Sequence, residues 1–139
     1  MLKLALLALL ITPALACPKA DKPLISESLQ GLGIDVGNTE FTIYEGGAYK
    51  LSMHDPKAMR SGDKTGCLTD KELADVTAAI KAAPWKTTKN AITCKAKTMR
   101  HNVYTMGAKS YDAVSCPSES MDEQTWKLFN LIDTLEQTR

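Results

Sequence analysis

The chain opens with Met1-Leu2-Lys3, runs unbroken through apolar residues from Leu4 to Ile11, and then reaches Ala14-Leu15-Ala16. One positive charge, a short apolar stretch and a small-x-small triplet are the parts of a secretory signal peptide, and the run is too short to span a bilayer. This predicts cleavage after Ala16 and a mature chain that starts at Cys17 and folds where thiols oxidise. Its four cysteines, Cys17, Cys67, Cys94 and Cys116, then constrain the fold. An even number in a small exported domain reads as two disulfides, with three connectivities available. Cys94 and Cys116 bracket one extended region, while Cys17 stands in the N-terminal tail and Cys67 just before a helix. The expected pairs are therefore Cys94 with Cys116 and Cys17 with Cys67.

Cys17 also admits a second reading. A bacterial lipoprotein signal ends immediately before a cysteine, preferring Leu, Val or Ile three residues upstream and a small residue next. Here those places hold Ala14 and Leu15, and only Ala16-Cys17 fits. Lipidation of Cys17 would also leave an odd cysteine. Export to the periplasm or extracellular space and lipid anchoring at Cys17 to the bacterial membrane both stay open, with cysteine parity favouring the first. Once Lys3 is removed, sixteen basic residues face sixteen acidic ones. Zero net charge argues against a general polyanion binder.

The segment 17–38, polar and containing Pro18 and Pro23, reads as a leader. The single domain is expected over 39–139. Phe41 and Ile43 alternate with polar residues, as do Tyr49, Leu51 and Met53, and Gly46-Gly47 between them suits a tight hairpin. The stretch from His54 to Gly66 is polar, with room for a short third strand before Cys67. Thr69-Asp70-Lys71-Glu72 is a capping box, flanked by Leu68 and Leu73 as a hydrophobic staple. Leu73, Val76, Ile80 and Ala83 follow at helical spacing until Pro84 ends the run, and Trp85 closes the core at the exit. Val103–Met106 and Ser110–Val114 flank Gly107 as a second hairpin. A second capping box, Ser120-Met121-Asp122-Glu123, predicts a closing helix with Thr125, Leu128, Phe129, Ile132 and Leu135 buried and Trp126 at its border. Strands, helix, strands, helix in that order predict an α+β fold, with two helices on one face of an antiparallel sheet of two hairpins.

Chemistry-bearing motifs are few. Gly33-Ile34-Asp35-Val36-Gly37-Asn38-Thr39 resembles the first phosphate loop of type III pantothenate kinases and related actin-type ATPases. Those enzymes need two lobes and further nucleotide motifs, for which this chain has no room, so Gly37-Asn38 is read as a turn entering a strand. His54 and His101 are far apart and the cysteines form no close pair, which leaves a zinc site without preformed halves. No nucleophile elbow or His-Glu-x-x-His helix is present, so no catalytic residue, cofactor or metal is expected. Charge is segregated: from Lys81 to Ser110 there are seven basic residues and no acid, whereas from Tyr111 onward six acids face two bases. Such a dipole could meet an acidic protein or an anionic envelope surface, or simply guard a sheet edge. Trp85 and Tyr104 are not spaced as a base-stacking platform, which argues against nucleic acid.

The double-glycine hairpin, the helix opening Leu68-Thr69-x-x-Glu72-Leu73, the second hairpin and the final helix together resemble the emfourin-type protein inhibitors of metalloproteases, over roughly residues 39–136. The resemblance implies a stable scaffold that binds a protein through its loops; the four cysteines lie outside that pattern, and no inhibitory residue carries over. The expectation is a small exported, non-enzymatic binding protein, with a lipid-anchored accessory or assembly role as the alternative. The polar segment from His54 to Gly66, held near Cys67, is the expected contact. Its partner-facing candidates are His54, Lys57 and Arg60, joined from the basic stretch by Lys95, Lys97 and Arg100.

Overall fold

A computed structural model describes residues 17, 22–31, 37–57, 59–91, 100–114 and 118–139. The expected signal peptide over 1–16, Lys95, Lys97 and the expected Cys94–Cys116 pair lie outside these residues. In chain order the elements are β1 (Pro23–Gly31), β2 (Asn38–Tyr44), β3 (Ala48–Asp55), β4 (Arg60–Cys67), α1 (Asp70–Ala82), β5 (Thr87–Lys89), β6 (Arg100–Met106), β7 (Lys109–Val114), β8 (Glu119–Met121) and α2 (Glu123–Gln137). Six strands form one sheet in the order β4-β3-β2-β1-β6-β7, and β5 pairs with β8 in a separate ribbon. Every pairing is antiparallel.

Period-two alternation sorts the sheet into two faces. Ile25, Phe41, Ile43, Leu51, Tyr104 and Tyr111 point into one core with Val76 of α1 and Leu128, Phe129, Ile132 and Leu135 of α2. Burying each such side chain contributes about 1.5–3 kcal/mol. Phe129 is the hub: Tyr104 stacks on it at 3.9 Å, and Trp85 meets it edge-on at 5.1 Å. The other face carries Ser26, Ser52, Lys50 and Asp63, the last two ion-paired at 2.9 Å. The architecture is the expected α+β arrangement, and the buried residues of α2 are the predicted stripe.

At the first helix the capping box forms in full. Thr69 Oγ1 accepts from the Glu72 amide at 3.2 Å, and the Thr69 amide donates to Glu72 Oε2 at 2.8 Å. Gly46 and Gly47 take φ of 88° and 92° in the β2–β3 turn, and a Cβ on Gly47 would sit 3.2 Å from Leu73 Cδ2. This turn therefore needs glycine both for its dihedral and for its closeness to α1. Cys17 pairs with Cys67, with their Cα atoms 5.8 Å apart, as expected.

Three expectations are corrected. The segment read as a leader contains β1, a nine-residue strand between β2 and β6 at the centre of the sheet. Its signal was obscured because an acid, Glu27, occupies the core-facing position between Ile25 and Leu29. The short third strand allowed for between His54 and Cys67 is longer than expected: β4 pairs with β3 over eight residues, leaving only a short turn between Asp55 and Arg60 as the loop. Finally, α2 is capped by Asp122 rather than Ser120. Asp122 Oδ1 accepts from the Thr125 amide at 2.9 Å, while Ser120 is drawn into β8 opposite Thr88.

Candidate functional site

The strand register places the end of β1, the starts of β2, β4 and β6, and the ends of β3 and β7 at one end of the sheet. His54, Lys57 and Arg60 gather there around the β3–β4 turn. His54 Nδ1 shares a hydrogen bond with Ser61 Oγ at 2.8 Å, and the Lys57 amide donates to Asp55 Oδ1 at 3.0 Å. Between Lys57 and Arg60, Met59 is 92% exposed and takes a left-handed φ of 48°. A non-glycine residue rarely adopts that region without a local reason. Arg100 begins β6 at the same end of the sheet, opposite Gly31. Four strand spacings separate it from β4, about 19 Å. The structure thus assembles three of the predicted contact residues and holds Arg100 apart from them.

The two histidines do not meet. His101 lies on β6, where its Nδ1 faces Asp112 Oδ1 at 3.1 Å and its Nε2 faces Gln30 Oε1 at 3.2 Å. Both ring nitrogens are engaged in the sheet's polar face. Gly37, the described glycine of the phosphate-loop-like segment, leads directly into β2, and a Cβ there would lie 2.9 Å from the His54 carbonyl oxygen. Close backbone packing accounts for that glycine.

A second constellation was not anticipated from sequence. Glu27, at the centre of β1, sits opposite Phe41 on one side and Tyr104 on the other, and it is 1% exposed. Its Oε1 accepts a hydrogen bond from the Asn102 side-chain amide, whereas Oε2 has no hydrogen-bond partner. From α2, Asp133 and Glu136 stand one helical turn apart beside the buried Ile132 and Leu135. One carboxylate oxygen from each of Glu27, Asp133 and Glu136 lies within 4.8 Å of the other two.

The electrostatics follow from that crowding. Burial pushes the Glu27 carboxyl up to about 7, opposed by the Asn102 hydrogen bond and reinforced by the charges of Glu136 and Asp133. Burial, with the charge of Asp133 added, also raises Glu136. The Tyr104 hydroxyl is held well above the tyrosine range, first by burial and then by the neighbouring Glu27 carboxylate. Chemically this is a set of hard oxygen donors with a reluctant anion at its core. The sequence signal was faint: an acid at an inward register position of a short alternating run, and two acids bordering a helix stripe. A scan against protein-family models finds no match to this chain, and none of the curated proteins is similar to it.

Proposed function

We propose that the chain is a small exported protein that binds another protein through the β3–β4 end of its sheet, in the manner of a protease inhibitor. Met59 carries this reading. A flexible apolar side chain stands in solvent at a hairpin tip, in a backbone region costing of order 1 kcal/mol, with Lys57 and Arg60 beside it. Such an outlier supports a contact role, because nothing in the local packing uses the side chain. The charged edge of β4, with Arg60, Asp63 and Lys64, guards against indiscriminate strand pairing while leaving the tip accessible. The resemblance to emfourin-type inhibitors supports the same mode, a stapled scaffold offering a loop. The pairing of Cys17 with Cys67 favours free export over lipid anchoring, since an acylated sulfur could not form that bond.

The test is inhibition of a panel of secreted zinc metalloproteases by the mature chain. At least one enzyme should lose activity stoichiometrically, and Met59→Asp or the pair Lys57→Glu and Arg60→Glu should weaken inhibition by tenfold or more. A panel left untouched by the wild-type chain, or inhibition that survives both changes, would overturn the proposal.

A further inference from the structure

We infer that Glu27, Asp133 and Glu136 form a binding site for a hard divalent cation, and that Ca²⁺ is the ion the site fits. Their oxygens fall within 4.8 Å of one another. Ca²⁺ accepts six to eight oxygens in flexible geometry and commonly takes several carboxylates, whereas Mg²⁺ demands near-ideal octahedral geometry and is usually held by one or two carboxylates plus water. The three donors are all carboxylates, with no thiolate or imidazole among them, which disfavours zinc and copper.

An independent observation points to a ligand rather than to packing. Glu27 is 1% exposed, yet its Oε2 lacks a hydrogen-bond donor. Leaving a buried carboxylate oxygen unsatisfied is costly, and an ordinary core would supply a donor or an apolar residue. The elements packed around Glu27 bring donors to the carboxyl but leave Oε2 without one. From β6, Asn102 serves Oε1 and the Tyr104 hydroxyl approaches the same carboxyl; from α2 come two further acids. None of the ion pairs among the described residues involves Glu27, Asp133 or Glu136. Asp133 Oδ2 accepts from Gln137 Nε2 at 2.9 Å, and Asp133 and Glu136 are only partly buried. A cation could enter past them and lodge against Glu27. Bound there, it would supply the positive charge that this group of acids lacks.

The experiment uses the mature chain stripped with a chelator, then titrated separately with Ca²⁺, Mg²⁺ and Tb³⁺. Ca²⁺ should raise the melting temperature with an apparent Kd of about 10⁻⁴–10⁻³ M, the range of extracellular modules. Tb³⁺ should luminesce on aromatic excitation, because Tyr104 adjoins Glu27, and Ca²⁺ should quench that signal by displacement. Glu27→Gln and Glu136→Gln should each weaken Ca²⁺ binding by tenfold or more. Glu136 is at the rim of the core, so its variant keeps the test intact if Glu27→Gln misfolds. No melting shift and no luminescence in the wild-type chain would overturn the site, as would an unchanged Ca²⁺ response in Glu136→Gln. An equal response to Mg²⁺ would overturn the choice of ion.

Discussion

Glu72 and Glu27 belong to the same small domain and are treated in opposite ways. Glu72 lies in the first turn of α1 and is fully partnered: it accepts from the Thr69 amide at 2.8 Å and pairs with Arg139 at 2.6 Å. Arg139 in turn lies 5.1 Å over the Tyr49 ring. The Thr69 amide, more than any other group, holds the Glu72 carboxyl below the usual carboxylate range, with Arg139 assisting. Glu27 is more deeply buried, is surrounded by acids, keeps one oxygen unpartnered and is pushed up to about 7. A complete set of partners makes the first glutamate part of the scaffold. The incomplete set around the second is where a ligand should be sought.

The contrast can be broken most forcefully at the stapled end. Cys67→Ala, which opens a bridge between residues 50 apart in sequence, should cost about 4 kcal/mol on the chain-entropy estimate. Denaturant unfolding without reductant measures it, and a variant as stable as the wild type would mean that this end does not depend on the bridge.

Next in size is the pH response of the unstapled glutamate. In chelator, the folded state holds the Glu27 proton more tightly than the unfolded state does, because its carboxyl rises from 4.5 to about 7. Its contribution is fully present below pH 4.5 and is lost as pH rises through about 7, a fall of up to about 3 kcal/mol. Glu72 works in the other direction. Its depressed carboxyl contributes stability above the ordinary carboxylate range that disappears as pH falls through the folded value. Stability curves against pH should therefore lose their neutral limb in Glu27→Gln and their acid limb in Glu72→Gln. A neutral limb that persists in Glu27→Gln would assign it to another group.

Smaller effects sharpen the picture of the stapled end. Gly47→Ala should cost about 1–2 kcal/mol, because φ of 92° is strained for any side chain and Leu73 stands 3.2 Å away. Thr69→Ala should cost about 1 kcal/mol by removing one half of the capping box. Thermal melts at neutral pH read both, and an unchanged midpoint for Thr69→Ala would show that Glu72 holds the helix start without it.

Much of this fold was legible in the chain because its signals are local. A capping box, a double glycine and a helical stripe each act within a few residues, so α1, the β2–β3 turn and the buried face of α2 could be read directly. The pairing of Cys17 with Cys67 was legible for a related reason: one bracketed pair left the other by elimination. The start of α2 was misread by two residues, since Ser120 and Asp122 are both competent caps and only the demand of β5 for a partner draws Ser120 into β8.

Alternation of apolar and polar residues, glycine placement and capping chemistry by themselves determined the two helices, the β2–β3 and β6–β7 hairpins, and that an α+β sandwich would result. They could not determine which strand lies at the centre of the sheet, because strand order depends on pairings between segments far apart in the chain. Residue 27 reads as a polar break in a leader until β2 and β6 close on either side of β1 and α2 brings Asp133 and Glu136 over it. Only then is its carboxylate desolvated, crowded by like charge and short of a donor. Those three conditions belong to the tertiary structure, since each is a property of neighbours that the sequence places as far as 109 residues away.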